Sequence, residues 1–145
     1  MSAQIETVKR VYELFNRLPT NEAERRANPE TDELLGLFDN QVEFTQPAAQ
    51  PEGSQVFVGR KQLRESWDRW FEMWEHHRSS LEHVDEAGNR VLALSRDHFR
   101  GRDGVELEQK GASIFTFDGP RIVRFEAFFD QATARRRLGS SHAAL

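Results

Sequence analysis

Cysteine is absent from all 145 residues, which excludes disulfides, thiolate nucleophiles and cysteine-held metals. A cysteine-free chain suits a reducing compartment, so the expected location is the cytoplasm. Long apolar runs are missing as well. No stretch approaches the roughly 18 apolar residues of a membrane-spanning helix, and the opening "MSAQIETVKR" has no apolar segment of the secretory kind. A membrane is not an expected partner. Positive charge is also short, with 20 Lys and Arg against 24 Asp and Glu and a net charge of −4. Nucleic-acid binding needs a basic face that displaces counterions. The one basic cluster, Arg135, Arg136 and Arg137, fits instead the last turn of a helix, where cations complement the dipole. There is no glycine-rich phosphate loop and no nucleophile elbow. His76, His77 and His83 crowd together, but adjacent histidines diverge and the spacing matches no zinc pattern. Neither a metal nor a cofactor is expected.

What the chain does have is aromatic carbon. It holds 11 phenylalanines and three tryptophans against one tyrosine, and all three tryptophans fall within "SWDRWFEMWEHH". The length suits a single domain, 1–145, with an ordered core over about 5–139 and a flexible tail over 140–145. Ile5, Val8, Val11, Tyr12, Phe15 and Leu18 recur at helical spacing until Pro19. A polar stretch follows, and then a short helix that Thr31 can cap. "QVEFTQP" alternates as a strand that stops at proline. Gly59 closes a loop ahead of a helix whose stripe is Leu63, Trp67, Trp70, Phe71 and Trp74. From residue 78 onward four strand-like runs are separated by the turn signals "DEAGN", "GRDG" and "DGP". Strands joined so directly pair antiparallel. A last short helix runs from the Asp130 cap to Gly139. Helices followed by strands predict an α+β fold, a curved antiparallel sheet with helices packed on its concave face and a cone-shaped cavity between them.

This order resembles the nuclear transport factor 2-like superfamily, with its cystatin-like cone fold, and more narrowly its SnoaL-like branch of polyketide cyclases and ketosteroid isomerase relatives. The resemblance is carried by "LLGLFDNQVEFTQP", "FVGRKQLRESWDRWF" and "GRDGVELEQKGASIFTFDGPRIVRFEAFFDQATA". It covers nearly the whole chain and implies a homodimer built sheet to sheet. The outer faces of "RVLALS" and "RIVRFEAFF" point the same way, because exposed apolar patches mark association. The superfamily hosts many activities, so function must be argued from the site.

Members similar to ketosteroid isomerases carry a carboxylate before the proline that ends the first strand, an acid on the penultimate strand and a tyrosine on the first helix. Here those places hold Gln46, Ser113 and either Val11 or Tyr12. Members similar to limonene epoxide hydrolases carry an arginine between two aspartates. Here Ser95 stands for the arginine, Asp97 for one aspartate and Ala127 for the other, with Glu43 and Thr45 at the water-holding positions. Both constellations are incomplete.

A different polar set remains. If Ser95, Asp97 and Phe99 face the cavity, strand alternation turns Arg96 and His98 outward, and Glu43 and Thr45 approach Asp97. Asp97 and Glu43 then form a candidate acid–base pair with at least one raised pKa. A one-residue slip makes His98 the base instead. Tyr12, Thr45, Gln46, Trp67, Trp74, Phe99, Ser113 and Phe125 are the candidate substrate contacts, with Trp70 read as core. The expected ligand is a small apolar cyclic or polyketide-like molecule. The expected chemistry is isomerisation, cyclisation or dehydration by proton transfer, and the alternative is a binding or interaction module without catalysis.

Overall fold

The computed structural model describes residues 2–45, 56–128 and 130–143, with side chains described as far as Gly139. The first helix, α1 (Ala3–Arg17), starts where the Ser2 side chain accepts from the Ile5 N–H, and it buries Val8, Val11 and Leu14. Two short helices follow, α2 (Glu22–Ala27) and α3 (Pro29–Gly36), capped by Asn21 and Asn28. The cap of α3 is Asn28, not Thr31. Pro29 occupies the first turn, where its missing N–H costs nothing. Thr31 lies inside α3, buried, and its hydroxyl donates to the Arg25 carbonyl at 2.6 Å.

The strands are β1 (Phe38–Thr45), β2 (Val56–Val58), β3 (Trp74–Ala87), β4 (Arg90–Gly101), β5 (Glu106–Asp118) and β6 (Arg121–Phe128), with α4 (Arg60–Met73) between β2 and β3. They form one curved sheet in the order β2-β1-β6-β5-β4-β3. Every pairing is antiparallel except β1 with β6, which run parallel. The chain returns to β1 only after crossing the whole sheet, so the turn rule that governs β3 to β6 does not reach that pair. Strand β2, a three-residue partner of β1, carries no alternation signal of its own. Gly59 caps α4 with φ +97°, a conformation that suits glycine, and its N–H donates to the Val42 carbonyl at 2.8 Å.

Alternation along β4 sorts the sheet into two faces. Val91 and Ala93 join the main core with Val8, Leu14, Leu63 and Phe71 of α1 and α4. Leu92 and Leu94 point the other way and join Ala112, Ile114 and Phe128 beneath Ala134 and Leu138 of the last helix, α5 (Gln131–Ala143). Thus α1 and α4 lie on the inner face, while α5 covers part of the outer one and runs on past Gly139. Leu92, Leu94 and Phe128, among the outer-face residues that argued for a sheet-to-sheet homodimer, are therefore covered by the chain's own helix. Further along, that face is a charged lattice, with Arg96 near Glu82 and Glu108 and Arg100 near Glu75.

Two contacts fix the inner layer in place. Arg25 is only 3 % exposed, donates to Asp68 of α4 at 2.6 Å and to the Pro19 and Thr20 carbonyls, and lies over the Phe71 ring. Asn16 of α1 clamps the edge strand β3, donating to the Ser79 carbonyl at 2.7 Å and accepting from the Ser79 N–H at 2.9 Å.

Candidate functional site

The inner face of β4 carries a carboxyl among hydroxyls. Asp97 is 9 % exposed and Ser95 is 3 % exposed, and the Ser95 hydroxyl donates to Asp97 Oδ1 at 2.9 Å. From β3, Ser79 lies directly opposite Asp97, and its hydroxyl acts to lower the carboxyl's pKa. From α1, the Tyr12 hydroxyl reaches Ser113 and Ser95. That decides between Val11 and Tyr12 as the residue aimed at the sheet's polar group: Val11 packs in the core, and Tyr12 sets its ring edge against Phe115.

Room for this group comes from Gly111, which pairs with Ser95 on β5. A Cβ there would overlap Asp97 Oδ2 and would stand 2.6 Å from Ser95 Oγ. The missing side chain is what lets a carboxyl and a hydroxyl lie flat on the sheet. Burial pushes the Asp97 carboxyl above the ordinary aspartate value, against the lowering effect of the Ser79 and Ser95 hydroxyls. Burial likewise pushes the Tyr12 phenol up, so it stays a proton donor at neutral pH.

His77 enters two residues before Ser79. Its Nε2 lies 3.1 Å from Ser79 Oγ, and its ring stacks on Phe99 and meets Phe15 and Trp70 edge-on. Desolvation, helped by His76, lowers its pKa to about 4, so the imidazole is neutral at pH 7. Trp74 stacks on the other partner, Phe99, at 4.9 Å.

The expected partners of Asp97 are distributed otherwise. Glu43 is not beside it: Phe44 faces the core, so its neighbours Glu43 and Thr45 face outward, and Glu43 stands 3.5 Å from Arg124 on the outer face. Glu43 and Asp97 therefore cannot share a charge as a pair. His98 also faces outward, near Glu106 at 3.6 Å and the His76 ring. Trp67 belongs to the main core, edge-on to Phe15 and Phe38, whereas Trp70, expected to be plain core, meets His77 and Phe99. Phe99 is buried, and Phe125 packs against Phe115. Gln46 lies outside the described residues. Arg96 and Arg100 pair on the outer lattice and Arg124 pairs with Glu43, so none of the three meets Asp97. His77, Ser79 and Gly111 escape sequence reasoning. The alternation of "HRS" places His77 and Ser79 on one face, but only the strand register sets them against Asp97.

Two clefts lie near the surface. One of about 270 Å³ runs between α5 and the β3–β4 end, lined by Asp85, Ala87, Leu92, Arg135 and Leu138. The other, about 340 Å³, is lined by Met73, Trp74, Arg102, Val105 and Leu107. Leu107 pairs with Phe99, so this second cleft opens at the end of the face that carries Asp97. Among the described residues no group of three or more His, Asp or Glu is placed to hold a metal ion, and no helix is long and apolar enough to cross a membrane.

The family model of the SnoaL-like domain matches residues 8–125. The chain belongs to the SnoaL-like family. Solved structures agree on the fold of this SnoaL-like chain. It is similar to an NTF2-like protein from Burkholderia pseudomallei, at 22 % identity and TM-score 0.72, covering 94 % of this chain and 97 % of that one. It is similar to TerC co-crystallised with polyporic acid, at 16 % identity and TM-score 0.73, covering 95 % and 99 %. A third is a ketosteroid isomerase-like fold from Catenulispora acidiphila in complex with trimethylamine, at 14 % identity and TM-score 0.69, covering 92 % of each chain. Among curated proteins none matches the SnoaL-like sequence.

Proposed function

We propose that this SnoaL-like protein binds a small apolar cyclic molecule bearing a carbonyl and moves protons on it without a cofactor. The observation that carries this reading is Asp97. It is a buried carboxyl on the inner face with a raised pKa, hydrogen-bonded by the Ser95 hydroxyl and faced by Ser79, and among the described residues no cation lies within ion-pairing distance of it. A carboxyl kept for structure is normally paired with a cation or exposed. One kept for chemistry is desolvated and left free to titrate. Tyr12 supplies a neutral donor for a carbonyl oxygen in the same group. The substrate's rings would enter by the cleft beside Trp74 and Leu107, whose near side at Leu107 lies two strand residues, or about 7 Å, from Asp97. Relatives of this fold that hold polyporic acid and trimethylamine support a small-molecule role. A reducing, cytoplasmic setting suits the cysteine-free sequence.

The reaction class is proton abstraction next to a carbonyl and its return elsewhere, as isomerisation, cyclisation and dehydration require. In the first step the C–H bond breaks, its proton joins an Asp97 oxygen, and the electron pair passes to the carbonyl oxygen facing Tyr12. The test is exchange of the α-protons of 2-tetralone in D2O, followed by NMR. Asp97→Asn should slow it by roughly 100-fold or more. An unchanged exchange rate would sink the catalytic reading.

A second reading, binding without catalysis, is favoured by the apolar cleft itself, where Met73, Val105 and Leu107 are each more than half exposed. Under it, 2-tetralone changes tryptophan emission in wild type and Asp97→Asn alike, and no exchange exceeds background.

A further inference from the structure

We propose that His77, acting through the Ser79 hydroxyl, is a positioning residue that sets the proton state of Asp97. It rests on the reading of Asp97 as the proton-handling group and adds to it a member from a different strand.

One hydrogen atom links the two residues. Ser79 Oγ lies 3.1 Å from His77 Nε2, and Ser79 stands directly across the β3–β4 ladder from Asp97, whose pKa its hydroxyl lowers, yet that hydroxyl has only one proton to give. An ionised carboxylate accepts only. While Asp97 is charged, the Ser79 proton must therefore point at Asp97, and Ser79 Oγ must accept from His77. That selects the imidazole tautomer protonated at Nε2. A protonated Asp97 can instead donate to Ser79, which then donates to Nε2, and the tautomer flips to Nδ1–H. The imidazole and the carboxyl are thus ends of one chain whose direction reverses with the charge of Asp97. The low pKa of His77 supports this, since a neutral ring can serve as either donor or acceptor where a cation could only donate.

The surroundings leave the chain little competition. On β3 the neighbouring His76 faces the outer side, near His98. From α1 the titratable group is Tyr12, together with the neutral Asn16 that clamps the Ser79 backbone. From α4 comes Trp70, from the start of β3 comes Trp74, and from β4 comes Asp97 itself with Ser95. Across from Asp97 on β5 stand the neutral Gln109 and, two residues on, Gly111.

The experiment is a titration of the resting protein, with Asp97 followed by its carboxyl carbon shift and the His77 ring by its nitrogen shifts. In wild type the ring should change from Nδ1–H to Nε2–H as pH rises through the Asp97 transition. Asp97→Asn should remove that change. His77→Phe keeps the ring stacking and removes the donor. It should move the Asp97 transition upward by about half a pH unit, roughly threefold in ionised fraction. His77→Gln, which can still donate to Ser79, should restore most of the wild-type position. In a Ser79→Ala background, His77→Phe should have no further effect. The proposal is overturned by a ring tautomer indifferent to Asp97, or by a His77→Phe shift that is equal with and without the Ser79 hydroxyl. The 2-tetralone exchange assay separates the two ideas. If exchange survives Asp97→Asn the catalytic reading falls while the titration result stands, and if the titrations are uncoupled only the His77 proposal falls.

Discussion

Replacing Gly111 with alanine adds a single methyl group at the one place where the sheet cannot take it. The new Cβ would overlap Asp97 Oδ2 and stand 2.6 Å from Ser95 Oγ, so both side chains must turn away. Turning Asp97 breaks the 2.9 Å bond from Ser95, a hydrogen bond to a charged group worth about 1.5–3 kcal/mol. Crowding of the packed face adds about 1–3 kcal/mol. Against these, alanine in a strand recovers about 0.5–1 kcal/mol of backbone entropy. The expected net loss is about 2–4 kcal/mol once partial relaxation is allowed for. Urea denaturation measures it as a lower midpoint at unchanged slope. The decisive measurement is a cycle with Asp97→Ala, which removes the nearer obstacle. Gly111→Ala should cost at least about 1 kcal/mol less in that background. A Gly111→Ala protein as stable as wild type, or strictly additive with Asp97→Ala, would refute the claim that this glycine exists to seat the carboxyl.

Further expectations can be checked on the same protein. Arg25→Ala leaves Asp68 partly uncompensated and should cost about 3–5 kcal/mol by denaturant titration. His77 has a folded pKa of about 4 against 6.5 unfolded, so the unfolded chain binds the extra proton first. Its contribution is whole above pH 6.5 and falls as pH drops toward 4, by at most about 3 kcal/mol, and His77→Phe should flatten that acid limb. Asp97 has the opposite sign: with its folded pKa raised, it stabilises below the ordinary aspartate value and costs stability once ionised. Asp97→Asn should therefore raise Tm at pH 7 and gain less at pH 4. Ending the chain at Asp130 removes α5 and uncovers Leu92, Leu94, Ala112, Ile114 and Phe128, so light scattering should show association above that of the full chain.

Much of this architecture was legible in local pattern. The stripe of Ile5, Val8, Val11, Tyr12 and Phe15 marked out α1, and the three turn signals marked out β3 to β6. The resemblance of three short stretches pointed to a fold that the family match bears out. These are short-range facts: side-chain periodicity and turn chemistry act over a few residues, so a sequence carries them openly. The alternation that sets Asp97 and His98 on opposite faces was legible for the same reason, although which of the two points inward was not.

Tertiary structure decided the rest, because it depends on register between segments far apart in the chain. Glu43 and Asp97 each alternate properly on their own strands, yet the parallel pairing of β1 with β6 sends Glu43 to the outer face and into the hands of Arg124. No local signal distinguishes the two outcomes, since one residue of slip exchanges the faces of a whole strand. The same holds for His77 and Ser79, which meet Asp97 only through the β3–β4 ladder, and for Gly111, whose emptiness matters only because Asp97 lies over it. Which residues carry charge, rings and hydroxyls is written in the sequence; which of them share a face is settled by strand pairing.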